Sequence, residues 1–165
     1  MKRRERIAFF ALVGLQLALP LGTVGWTEVQ IARGTEVRLQ TIPVDPRDLF
    51  RGDYVVLRYE ISSVGPSTIF KRGDTVYVPL RKVGPRWMGD YAHKEKPEAR
   101  PFIRGRATQG STEDYNRFEV EYGIETYFIE AGTGRKYEDA EFLYVDVSID
   151  RNGKARIKGV KIPGQ

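Results

Sequence analysis

Residues 51–59 read Arg-Gly-Asp-Tyr-Val-Val-Leu-Arg-Tyr, a turn running into a strand. A glycine after a charged residue supplies a turn, and the β-branched and aromatic residues that follow favour extended backbone. A side-chain period of two puts Val55, Leu57, Tyr59 and Ile61 on one face of a strand over 53–62. Tyr54, Val56, Arg58 and Glu60 take the other face, so the first set is the predicted core face. Just upstream, Asp45-Pro46-Arg47-Asp48 reads as one capped helical turn: Asp45 caps free N–H groups, Pro46 suits the first helical position, and Gly52 ends the turn.

Working outward, the same alternation recurs. Val37, Leu39 and Thr41 share a face in a strand over 36–44. Arg72-Gly73-Asp74 echoes the earlier Arg-Gly-Asp before a strand with Val76 and Val78 inward, and Pro79 pushes that strand to a sheet edge. Residues 84–101, with Pro85, Pro97 and Pro101, read as a solvated loop. Beyond it come a strand over 102–108, one over 117–122 with Phe118, Val120 and Tyr122 inward, and an extended stretch over 124–129. Gly123 between these last two reads as a bulge or a close approach of another backbone. Residues 131–134 read as flexible and 135–141 as one helical turn. Asp150-Arg151-Asn152-Gly153 between the alternating runs 142–149 and 154–162 signals a hairpin. About six to eight short antiparallel strands result, a mainly β fold built as a small barrel or sandwich.

The N-terminal end is different. Residues 7–26, from Ile7 to Trp26, carry no charge, and as a helix they span about 30 Å, the thickness of a bilayer's hydrocarbon core. The run exceeds a signal-peptide core of about 7–15 residues, and Thr23-Val24-Gly25 is a poor cleavage site, so a membrane anchor is favoured over a cleaved signal peptide or a buried soluble helix. Four basic residues precede the span, Lys2, Arg3, Arg4 and Arg6, and only Arg33 lies soon after it. The positive-inside rule then places residues 1–6 in the cytoplasm and a β-rich body, 27–165, outside it. A cytoplasmic membrane with a periplasmic or extracellular body is the expected location.

The net charge of +5 is concentrated in that stub: with Glu5 it carries +3, leaving +2 from Ile7 onward. A body so balanced lacks the basic footprint of a nucleic-acid binder. With no cysteine, disulfides, thiolate metal sites and a cysteine nucleophile are excluded. His93, the only histidine, stands in a polar loop without visible catalytic or metal partners. Glu119, Glu121, Glu125, Asp139 and Glu141 read as solvated strand-face carboxylates before they read as a glycosidase pair. No phosphate loop or dinucleotide fingerprint is present. No cofactor, metal site or catalytic residue is assigned.

Gly52-Asp53-Tyr54-Val55-Val56-Leu57-Arg58-Tyr59 carries every fixed position of the motif that names the GDYXXLXY protein family. The likeness continues through 43–51, through Tyr122-Gly123-Ile124-Glu125-Thr126-Tyr127-Phe128, and through the C-terminal Val-Asp-Val-x-Ile-Asp-x-x-Gly-x-Ala pattern. The chain therefore resembles that family over nearly all of its body. The resemblance implies a bacterial, membrane-anchored domain that often accompanies multi-pass membrane proteins, and it brings no catalytic residues. Residues 51–57 are also similar to the Arg-Gly-Asp-Ile-Val-Val-Phe stretch of type I signal peptidases, which implies a serine/lysine hydrolase as an alternative. Aligned with their serine box, however, the nucleophile falls near Val44, and Ser62 and Ser63 follow the strand.

The expectation is thus a non-catalytic, membrane-anchored domain that meets the bilayer through 7–26 and binds an envelope or multi-pass membrane protein. Cell-wall glycan binding by exposed aromatics is a third reading. Asp53 and Tyr54, which strand grammar leaves unexplained, and the aromatics Trp87, Tyr91, Tyr122 and Tyr127 are the candidate binding residues.

Overall fold

The structure is a computed structural model that describes residues 12–14, 16, 18, 22, 34–43, 54–99, 101–111, 117–130, 133, 137 and 140–164. The chain separates into two units, Met1–Arg33 and Gly34–Gln165. In the first, Leu12, Val13, Gly14, Gln16, Ala18 and Gly22 are helical, and most of the expected span over 7–26 lies outside the described residues. Among the described residues no helix is long and apolar enough to cross a membrane. The turn expected over 45–52 and the flexible stretch over 131–134, except Thr133, also lie outside them, as does most of the helical turn expected over 135–141.

The second unit is mainly β. Its strands are β1 (Thr35–Gln40), β2 (Tyr54–Val56), β3 (Ser63–Val64), β4 (Thr75–Val83), β5 (Arg86–Gly89), β6 (Phe102–Ala107), β7 (Phe118–Glu121), β8 (Thr126–Phe128), β9 (Tyr144–Ile149) and β10 (Ala155–Lys161). They form three sheets in the orders β1-β9-β10, β2-β8 and β3-β7-β6-β4-β5. Every strand pairing is antiparallel, and among the described residues none of the sheets closes on itself.

The inward faces read from alternation are the core. Val37, Leu39, Val55, Leu57, Tyr59, Ile61, Val76, Val78, Phe118, Val120 and Tyr122 are all buried. Their strand over 53–62, however, is broken: β2 ends at Val56, Tyr59 makes a single bridge to Thr41, and Glu60–Ser62 is a 3-10 turn. Serine chemistry explains the break. Ser62 Oγ accepts the Tyr59 N–H at 3.1 Å, and the Ser62 N–H donates to the Tyr59 carbonyl at 2.9 Å, a local alternative to ladder bonds.

Two expectations are overturned downstream. The loop expected over 84–101 contains β5, which forms a hairpin with β4 through the two-residue loop Gly84-Pro85. Gly84 has φ +59, and proline fixes a negative φ at the second position, so the loop has the II′ type that matches strand twist. Pro79 does not sit on an edge either: β4 lies between β6 and β5. The proline marks a change of partner, since residues 75–79 pair with β6 and 80–83 with β5. Its carbonyl accepts the Asp90 N–H at 2.9 Å, and as a proline it has no N–H with which to return that bond.

A reciprocal tie joins the two central segments. Tyr59 Oη donates to the Ile124 carbonyl and Tyr122 Oη to the Ile61 carbonyl, each at 2.6 Å. Both segments read Tyr-x-Ile, so each supplies one phenol and one carbonyl to the other. Burial pushes both phenols far above their ordinary pKa of about 10, and the Glu125 carboxylate adds to it. The sign follows: both states keep the proton below about pH 10, and above it the unfolded chain loses protons that the fold retains. Stability present below about pH 10 should fall as pH rises further. Urea midpoints measured from pH 9 to 12 should drop more steeply for the wild type than for Tyr122→Phe, and parallel slopes would refute the assignment.

At the acid end Asp146 acts in the opposite sense. Hydrogen bonds from Arg38 (2.7 and 3.2 Å) and contact with Lys161 (2.8 Å) hold its carboxyl below the usual carboxylate range. Its contribution is present above about pH 4 and is lost as pH falls through the lowered value. Elsewhere Arg86 of β5 bonds Gln40 of β1 at 2.5 Å and stands 3.3 Å from Glu60 Oε2, tying β1, β5 and the 3-10 turn together. That buried oxygen receives no aligned donor, so the Arg86–Glu60 contact is Coulombic rather than a hydrogen bond.

Candidate functional site

Glu125 builds one wall of the site by holding the turn before β8. Its carboxylate accepts the N–H groups of Tyr122 (2.6 Å) and Gly123 (2.9 Å), and Gly123 adopts φ +78. Gly123 is therefore a left-handed turn residue; a Cβ there would meet nothing, so the close approach expected from sequence is not its role. The Leu57 N–H donates to the Glu125 carbonyl at 2.7 Å, which sets the β2–β8 register. In that register Tyr54 faces Phe128 across the ribbon, ring against edge at 6.1 Å.

Phe128 is 76% exposed, the most exposed of the large apolar side chains described. It stands on a cleft of about 390 Å³ whose walls are β8, with Thr126 and Tyr127, and the start of β10, with Lys154, Arg156 and Ile157. Among the described residues each wall is the edge strand of its sheet. Lys154 is exposed and Arg156 half-buried. Neither side chain has a hydrogen bond or an ion pair among the described residues. The next cations along β10 are different: Lys158 pairs with Glu36, and Lys161 with Asp146.

The structure divides the candidate residues. Tyr54 and Tyr127 both lie on the β2–β8 ribbon but on opposite faces, Tyr54 against Phe128 and Tyr127 against the core, whereas Asp53 lies outside the described residues. Tyr122 is buried and used in the tyrosine tie. Trp87 is half-buried against the core. Tyr91 is 62% exposed and borders a separate groove of about 280 Å³ between β3 and β5, with Asp90, Ser63 and Arg117. Sequence reasoning missed Arg156 and took Phe128 only as the end of the aromatic segment 122–128. The signal was there in Lys154-Ala155-Arg156, which puts two cations on one face of a strand opening, without acidic partners at i±2.

Other groups with chemical potential have structural partners. Ser62 Oγ is occupied by the Tyr59 N–H, and Ser63 Oγ accepts from Arg117 Nε at 3.3 Å. Glu119 pairs with Arg58 at 2.9 Å. The backbone of His93 exchanges hydrogen bonds with Tyr77, and its ring is exposed, with Nδ1 3.5 Å from Ser67 Oγ. Asp74 in the second Arg-Gly-Asp caps its own turn, accepting the Lys71 N–H at 2.9 Å. Among the described residues no group of three histidine, aspartate or glutamate side chains is placed to hold a metal ion.

Fold and cleft together define a small antiparallel β domain with an aromatic and cationic surface between two sheet edges. The chain belongs to the GDYXXLXY protein family, whose profile matches residues 16–160. No curated protein and no solved structure matches the chain. The family motif is now physical in its described part: Tyr54 shapes the ribbon, Leu57 fills the core and Tyr59 makes half of the reciprocal tie.

Proposed function

We propose that this protein is a non-catalytic, membrane-anchored accessory domain that binds an envelope or multi-pass membrane protein through the β8/β10 cleft. The observation that carries the reading is Phe128: a large ring 76% exposed, braced by Tyr54, at the mouth of a cleft with two cations that are unpaired among the described residues. Such a combination of rigid aromatic surface and desolvatable charge favours protein contact. Architecturally the reading is of an incompletely closed barrel. The Thr41–Tyr59 bridge and the Ile42 N–H to Arg58 carbonyl bond (2.8 Å) link the β1-β9-β10 sheet to β2-β8 on one side, and the β8/β10 seam is the open side.

The uncharged run 7–26 and the basic stub before it support an anchor with the body outside the cytoplasm. Because the chain has no cysteine, single-cysteine variants report topology cleanly. Thr68→Cys, on an exposed loop, should react with a membrane-impermeant maleimide in intact cells, and Lys2→Cys only after permeabilisation. The reverse pattern would invert the topology. Purification from native membranes in mild detergent should recover a stoichiometric partner; a lone monomer would count against the accessory role.

A second reading, glycan binding, is favoured by the Tyr91 groove, where an exposed ring stands beside Asp90, Ser63 and Arg117. Sedimentation with purified wall material, lost in Tyr91→Ala, tests it.

A further inference from the structure

We propose that the β8/β10 seam receives an extended, acidic segment of a partner polypeptide as an added strand; this rests on the accessory reading above. Among the described residues both walls are unpaired strand edges of matching length, Thr126–Phe128 on one side and the regular start of β10, residues 155–157, on the other. An inserted strand would find backbone donors and acceptors on either side, the arrangement in which main-chain bonds supply affinity and alternating side chains supply specificity. Because β1 and β2 are already linked through Thr41 and Tyr59, a single strand here would complete a continuous ring of pairing.

Charge selects the occupant. Edge strands commonly carry lysines and bulges that discourage indiscriminate pairing. That explanation suits the far half of β10, where a register shift falls between Ile157 and Gly159, and where Lys158 and Lys161 are neutralised by Glu36 and Asp146. It does not account for the near half, which is regular and whose Lys154 and Arg156 are unpaired among the described residues. A half-buried guanidinium without a counter-ion is satisfied by a carboxylate that arrives with a ligand. On the opposite lip Tyr127, on the core-facing side of β8, offers apolar area to the segment's inward face, while Phe128 stands on the outward side. The matching chemistry is a short strand with aspartate or glutamate on alternate positions and apolar residues between.

The test uses the full chain in mild detergent at low salt, applied to an array of randomised seven-residue peptides. Retained peptides should be enriched in alternating acidic residues. Binding of the best of them should fall roughly tenfold in the Lys154→Glu, Arg156→Glu double variant, and similarly when its backbone is N-methylated. No acidic enrichment, or indifference to N-methylation, overturns the proposal. Dimerisation abolished by the same two substitutions would assign the seam to a second copy and also overturn it. If a membrane partner co-purifies and stays bound to the double variant, the seam proposal falls while the accessory role stands. If acidic peptides bind as expected but no partner co-purifies, the accessory role falls and the seam remains.

Discussion

Removing both phenolic hydroxyls, as Tyr59→Phe with Tyr122→Phe, is expected to lower the unfolding free energy by about 2–6 kcal/mol, about 1–3 for each buried carbonyl left without a donor. Both rings are buried, and each Oη reaches its carbonyl at 2.6 Å. Phenylalanine keeps the ring and its packing, so the loss reports the hydroxyl. The two bonds also span the same pair of segments, 59–61 and 122–124, and hold them in one register. Breaking one loosens the frame on which the other depends, so the single changes should not add. A urea-denaturation cycle over the wild type, both singles and the double measures this, with the half-buried Trp87 contributing to the fluorescence signal. A double variant within about 0.5 kcal/mol of the wild type would show that water replaces both donors and that the tie is incidental.

Gly153→Ala should cost about 2–5 kcal/mol, from two separable causes. The five-residue connection 150–154 is organised by Asp150, whose Oδ1 accepts the N–H groups of Asn152 (2.7 Å) and Lys154 (2.9 Å), and Gly153 closes it at φ +81. A side chain in that left-handed conformation costs about 1–2 kcal/mol. In addition, a Cβ there would lie 2.7 Å from the Phe102 ring and 3.0 Å from the Arg104 nitrogen, whose N–H donates to the Gly153 carbonyl at 2.8 Å. Relieving that overlap means moving the hairpin off β6, at about 1–3 kcal/mol. Gly73→Ala is the control. It has φ +88 with nothing within 4 Å of the added carbon, so it should pay only the backbone cost. Equal losses at the two sites would remove the close approach from the explanation.

Much of this fold was legible because burial obeys alternation even where the ladder does not. Val55, Leu57, Tyr59 and Ile61 are inward as read, although a 3-10 turn interrupts their strand. The interruption depends on Ser62 finding the Tyr59 N–H, a tertiary outcome that a period of two does not encode. Proline was over-read in both directions. At Pro79 it marked a change of partner rather than an edge, and at Pro85 it completed a tight hairpin rather than a loop. The II′ signal, glycine followed by a residue of fixed negative φ, was available in Gly84-Pro85. The site was less legible. Its walls come from β8 and β10, and whether Arg156 has a counter-ion depends on which carboxylates the fold brings near. Tyr122 drew notice as an aromatic in a promising segment, yet its phenol is spent on Ile61.

The pairing of β1 with β9 sets a clock on biosynthesis. Arg38 and Asp146, partners across that ladder, are separated by 108 positions. At a synthesis rate of about 5–20 residues per second, β1 waits roughly 5–20 seconds for its ladder partner to be made. Through that interval Val37 and Leu39, fully packed in the finished domain, have no sheet to join. The hairpins β4–β5 and β9–β10 close locally, but the sheet that unites the ends of the domain forms last. A nascent chain stalled before residue 144 should therefore bind holdase chaperones through its first strand, and release should coincide with emergence of the β9–β10 hairpin.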